Sequence, residues 1–119
     1  MKSFEDLDIW KKALDLTEAV YRASAKWPGE EKFCLTQQIR RAAASIPANI
    51  AEGAERQGPR EFLRFLSIAR GSLAETKTFL ILAERLAYMD LEQGMALKSQ
   101  LDEVGRMLSG LSRSLQSKL

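Results

Sequence analysis

Histidine is missing from this chain altogether. Its absence removes the commonest general base and the commonest metal ligand, which excludes zinc chemistry and a Ser-His triad. Cysteine is almost missing: Cys34 stands alone, so no internal disulfide can form, as suits a reducing compartment. A small semi-buried side chain near a helix start is the preferred reading of Cys34 over a reactive thiol. Three prolines and seven glycines leave little room for long loops. Gly53, Gly58 and Gly71 match neither a P-loop nor a dinucleotide fingerprint, and Gly71-Ser72 reads as a helix packing contact. No apolar run approaches the ~18 residues of a membrane span, and the acidic start MKSFEDLDIWKKALDL lacks a signal peptide's apolar core. The expectation is a cytoplasmic bacterial protein with no membrane partner, no metal and no cofactor.

Helical periodicity fills the rest. At 119 residues, 45% hydrophobic and 29% charged, the chain reads as one ordered domain, long enough for four helices of roughly 20 residues. Helix one, about 5–26, steps by 3-4-3-4-3 through Leu7, Trp10, Leu14, Thr17, Tyr21 and Ser24, flanked by Ala13, Leu16, Val20 and Trp27. Ser3 with Asp6 can cap its start, and Pro28-Gly29 ends it. Helix two, about 30–56, has Thr36 as a candidate N-cap and a kink expected at Pro47, which cannot donate to the Ala43 carbonyl. Helix three, about 60–88, carries one heptad seam through Phe62, Leu66, Ala69, Leu73, Thr76, Leu80, Ala83 and Ala87. A second seam through Phe65, Ile68, Ser72, Phe79, Leu82 and Leu86 widens it to an arc of roughly 200°, more than an ordinary surface helix needs. Helix four, about 91–117, is an amphipathic outer helix on Leu97, Leu101, Val104, Leu108, Leu111 and Leu115, with Gly105 and Gly110 suited to close approach of another helix. The fold class is all-α, an antiparallel up-down-up-down four-helix bundle.

Two features go beyond core filling. Residues 35–70 hold Arg40, Arg41, Arg56, Arg60, Arg64 and Arg70 against three glutamates, while the flanking segments are near neutral. The planar fork of arginine suits phosphate, so these six are the candidate nucleic-acid contacts; a solvated helix face accounts for them equally well. A polar stripe, Arg41, Ser45, Asn49 and Glu52, runs beside the apolar one on helix two, and Glu75 falls within the second seam of helix three. A carboxylate there calls for a partner, with Arg40, Arg41 and Asn49 the candidates, and a register-fixing ion pair is favoured over catalysis. Trp10, Trp27, Phe33 and Tyr88 could stack on bases, although core and staple roles are the commoner use of such residues. No second carboxylate or base completes a catalytic set, so an enzyme is not expected.

The chain also resembles the bacterial four-helix bundle family of 23S ribosomal RNA intervening-sequence proteins. The likeness is carried by Phe4, Leu7, Trp10, Lys12-Ala13 and Leu16, by Pro28 and Glu31, and by Leu35-Thr36 and Gln38-Ile39-Arg40-Arg41-Ala42. It continues through Ser45-Ile46-Pro47, Asn49-Ile50-Ala51-Glu52-Gly53, Phe62, Phe65-Leu66, Ala69, Gly71-Ser72-Leu73 and Glu75. Cys34 departs from the glycine the family commonly has before Leu-Thr. The resemblance implies assembly into pentameric rings and, because some members are encoded inside insertions in 23S ribosomal RNA genes, an association with RNA. A related branch, the accessory variability protein of diversity-generating retroelements, implies nucleic acid and a reverse transcriptase as partners.

The expected function is thus an oligomeric, non-enzymatic RNA-binding protein, with a protein-binding scaffold such as a reverse-transcriptase accessory subunit as the alternative. Arg41, Ser45, Asn49, Glu52 and Glu75 are expected to lie beside the subunit contact, and the second seam to be covered by another copy. Light scattering after size exclusion is expected to give several times the chain mass. A 13.4 kDa particle at micromolar concentration would contradict self-association.

Overall fold

The computed structural model describes residues 3–119, which form four α-helices and, among those residues, no strand. The helices are α1 (Asp8–Ser24), α2 (Leu35–Glu55), α3 (Gly58–Arg85) and α4 (Leu91–Gln116). Each packs on two neighbours: α1 on α2 and α4, and α3 on α2 and α4, around one shared core. That arrangement is a four-helix bundle, and no helix among the described residues is long and apolar enough to cross a membrane.

Ser3 and Asp6 do form a capping box, but on a short 3-10 turn, Phe4–Asp6, which precedes α1. The buried stripe of α1 is Ile9, Ala13, Leu16, Val20 and Ala23, continued by Trp27. It lies one residue round from the expected seam, so Leu14 and Tyr21 are each 44% exposed while Thr17 and Ser24 remain inside. Small Ala13 and Ala23 let the neighbouring helices come close on that side, which decides between two seams of equal spacing. The turn Gly29–Glu31 follows Pro28 and delays α2 to Leu35. Thr36 is buried inside the helix rather than capping it; the Glu31 carboxylate accepts the Leu35 N–H instead, at 3.3 Å. Cys34 is exposed, not semi-buried.

Helix α2 runs unbroken through Pro47. Proline removes the N–H that would bond the carbonyl four residues back, which is that of Ala43. A neighbour supplies the missing donor. The buried Thr17 hydroxyl lies 3.0 Å from Ala43 O and 2.8 Å from Ala13 O, and its single hydrogen is shared between them. Further along, α2 meets α3 at Gly53, where a Cβ would stand 2.8 Å from the Phe65 Cβ and 3.0 Å from the Phe62 ring. That approach is possible only without a side chain. A Cβ on Gly105 would stand 3.3 Å from a Leu73 methyl, a looser approach, whereas a Cβ on Gly71 or Gly110 would meet no other helix within 4 Å, contrary to the packing roles expected for them.

Helix α3 ends with Ala87 at φ 62°, where Tyr88 N–H bonds Ala83 O and Ala87 N–H bonds Glu84 O. The Asp90 carboxylate then caps α4 by accepting the Gln93 N–H at 2.8 Å. The wide apolar arc of α3 is only partly covered. Phe65 and Ser72 are buried and Phe79 is half-buried, while Ile68, Leu82 and Leu86 are exposed.

Thr17→Val keeps the shape and removes the hydroxyl, so it should cost about 1–3 kcal/mol in urea unfolding by leaving the Ala43 carbonyl without a donor. In a Pro47→Ala background the restored backbone N–H takes over, and the cost should fall by about 1 kcal/mol. Equal costs in both backgrounds would show that the Thr17 bond does not compensate for the proline.

Candidate nucleic-acid interface

The six arginines of the central segment do not form one surface. Arg40 donates to Ser24 Oγ at 2.8 Å and Tyr21 O at 3.1 Å, and its guanidinium lies 4.7 Å from the Tyr21 ring centroid. It joins α1 to α2. Arg56 pairs with Glu52 at 2.9 Å and Arg64 with Glu61 at 3.1 Å. The same two guanidinium groups lie 5.1 and 4.5 Å from the Phe65 ring, which they cover at the α2–α3 turn. The hydrogen bond from Arg64 holds the Glu61 carboxyl below the usual carboxylate range. Arg70 donates to Ser109 Oγ at 2.9 Å. Only Arg41 and Arg60 of the six make no such bond or ion pair among the described residues. At 1.5 Å per residue, Arg41 and Arg56 stand roughly 22 Å apart along α2, too far to act on one phosphate.

The polar stripe divides in the same way. Ser72 Oγ of α3 donates to Ser45 Oγ at 2.9 Å, and Asn49 Nδ2 donates to Ser45 O and Oγ at 2.8 and 2.9 Å. This network fastens α2 to α3, while Glu52 serves Arg56. Glu75, expected to need a partner, is exposed and lies within ion-pair distance of no cation among the described residues. Water solvates it, because the part of the second seam around it is not covered. Arg41 and Glu75 face one groove of about 310 Å³ together with Ser45, Ser72 and Phe79.

A larger cationic surface lies elsewhere. Between α3 and α4 a groove of about 610 Å³ is lined by Arg70, Lys77, Arg106 and Arg113 over a floor of Leu73, Leu101 and Gly105. Its one carboxylate, Asp102, lies 3.9 Å from Lys77. Arg70 and Arg113 also border an adjoining hollow with Ser67, Ser109, Ser112 and Gln116, which extends the groove along α4. Arg106 and Arg113 have no carboxylate within ion-pair distance among the described residues. Of these four cations only Arg70 was singled out from sequence, because residues 71–119 carry equal numbers of acids and bases. The seven-residue spacing of Arg70 with Lys77, and of Arg106 with Arg113, was the available signal: it places each pair on one helix face.

Residues 5–110 match the family described as 23S rRNA-intervening sequence protein. Among solved structures, the chain is similar to a protein of unknown function from the S23 ribosomal protein family of Bacteroides thetaiotaomicron. The TM-score is 0.78 at 26% identity, covering 87% of this chain and 97% of the other. No curated protein matches at a significant level.

Proposed function

The chain belongs to the 23S rRNA-intervening sequence protein family, and on that premise we propose that it is a homo-oligomeric, non-enzymatic RNA-binding protein of the cytoplasm. The observation that supports this most is the α3–α4 groove, where Arg70, Lys77, Arg106 and Arg113 stand against Asp102 alone. A net positive groove attracts the phosphate backbone, and arginine forks add bidentate hydrogen bonds to phosphate oxygens. Arg41 and Arg60 add unpaired positive charge at other points of the surface. Arg40, Arg56 and Arg64 serve the fold instead.

Self-association is supported by the exposed Ile68, Leu82 and Leu86 on the outer side of α3. Each is a little under half exposed, so covering the remainder is worth roughly 1 kcal/mol apiece, and a closed ring of copies would cover them. Glu75 borders the same side, where a cation of a neighbouring copy could pair with it. The scaffold reading, for instance as a reverse-transcriptase accessory subunit, draws on the same apolar strip and on the engagement of Arg56 and Arg64 by acids.

Titration of a fluorescent structured RNA at several salt concentrations tests the binding. The logarithm of the affinity should fall linearly with the logarithm of salt, with a slope of about −2 to −3 for some three net phosphate contacts. Arg106→Ala and Arg113→Ala should each make that slope shallower by about one. No binding at 50 mM salt (roughly the low end of such titrations), or binding without a salt slope, would leave the scaffold reading in its place.

A further inference from the structure

A second cleft, outside the α3–α4 groove, differs from it in two chemical respects: it contains aromatic rings and no carboxylate lines it. It lies where α1, the turn after Gly29–Glu31 and the first part of α2 meet, with a volume of about 370 Å³. Tyr21, Lys32, Phe33, Thr36, Arg40 and Arg41 face it. Three cations line this cleft and no carboxylate does. The nearby Glu31 is engaged elsewhere, accepting from the Tyr88 hydroxyl at 2.6 Å and from the Leu35 N–H. That bond to the carboxylate pushes the Tyr88 phenol up to about 12.

Phe33 is 77% exposed, the most exposed large apolar side chain in the described structure. It fills no core and staples no helix. Lys32 Nζ sits 5.5 Å from its ring centroid, and Arg40 holds the Tyr21 ring from one side at 4.7 Å. Exposed rings beside unopposed cations match the two needs of a single strand: a surface for an unpaired base and charge for its phosphates. A duplex buries its base faces in its own stack and can use only the cations. An acidic peptide likewise needs the cations but not the rings.

We infer that this cleft binds single-stranded RNA, with a base stacked on Phe33, the flanking phosphate met by Lys32 and Arg41, and Tyr21 held by Arg40 as a second ring surface. The inference rests on the RNA-binding reading and narrows it: the α3–α4 groove, which has no ring, contributes charge, and this cleft selects for unpaired bases.

The test compares an unstructured RNA oligonucleotide with a hairpin duplex, using the full chain. Phe33→Ala should weaken binding of the single strand about tenfold, within the range of base–aromatic stacking, and leave the duplex affinity and the salt slope unchanged. Phe33→Trp should add indole fluorescence above the Trp10 and Trp27 baseline, and that added signal should be quenched by the single strand and not by the duplex. Because Phe33 is mostly exposed, neither variant should unfold the chain. If single-stranded binding survives Phe33→Ala and the indole is unquenched while Arg106→Ala still weakens it, the cleft assignment is overturned and RNA binding stands. If wild-type protein binds neither RNA, both fall. A drop in oligomer mass on Phe33→Ala without change in RNA affinity would show the cleft to be a contact with a second copy, and would overturn it equally.

Discussion

The Ala43 carbonyl is the point from which the rest of the bundle is positioned. Pro47 withdraws its helical donor, and a buried carbonyl without a partner costs more than one hydrogen bond gains. Thr17 supplies the donor from α1. One buried polar contact thereby ties α1 to α2 within the shared core. One turn further along α1, Ser24 and the Tyr21 carbonyl meet Arg40 of α2, so the next contact follows from the first. On the other side of α2, Gly53 lets Phe62 and Phe65 close in, and the Ser45–Ser72 hydroxyl bond sets the register of α3.

This construction determines which charges are left free. Arginines near the helix contacts are drawn into them: Arg40 bridges α1 and α2, and Arg56 and Arg64 cover Phe65 and pair with Glu52 and Glu61. Those pairs are largely exposed, so they direct side chains more than they stabilise the fold. Arg41, Arg106 and Arg113, by contrast, line clefts and have no carboxylate within ion-pair distance among the described residues. The surface that follows has two cationic regions of different chemistry, one floored by aliphatic side chains and one carrying rings.

Helix number and type were legible from the sequence because the 3-4 spacing of apolar residues repeats through every segment. The rotation of α1 was not, since the stripes through Leu14 and through Ala13 have the same spacing; only the packing partners distinguish them. Glu75 has no ion-pair partner among the described residues for a related reason. An apolar arc on one helix shows what could be buried, not how much of it the neighbours in one chain can cover. Net charge along the chain does not single out Lys77, Arg106 and Arg113, because they converge with Arg70 across two helices from segments of different balance. The sequence shows Phe33 as a ring that could stack, but its exposure follows from the turn geometry after Pro28, which composition does not disclose.

On the RNA-binding proposal, the cations without a carboxylate partner meet RNA, and Arg56 and Arg64, which pair with Glu52 and Glu61, do not. An amide NMR titration with a short unstructured RNA tests it most directly, since each backbone position reports separately. Shifts should gather on residues 32–41 around the aromatic cleft and near Arg70, Arg106 and Arg113, and leave Arg56, Glu61 and Arg64 unmoved. Shifts confined to the exposed side of α3 around Ile68, Leu82 and Leu86, or none at all, would contradict it.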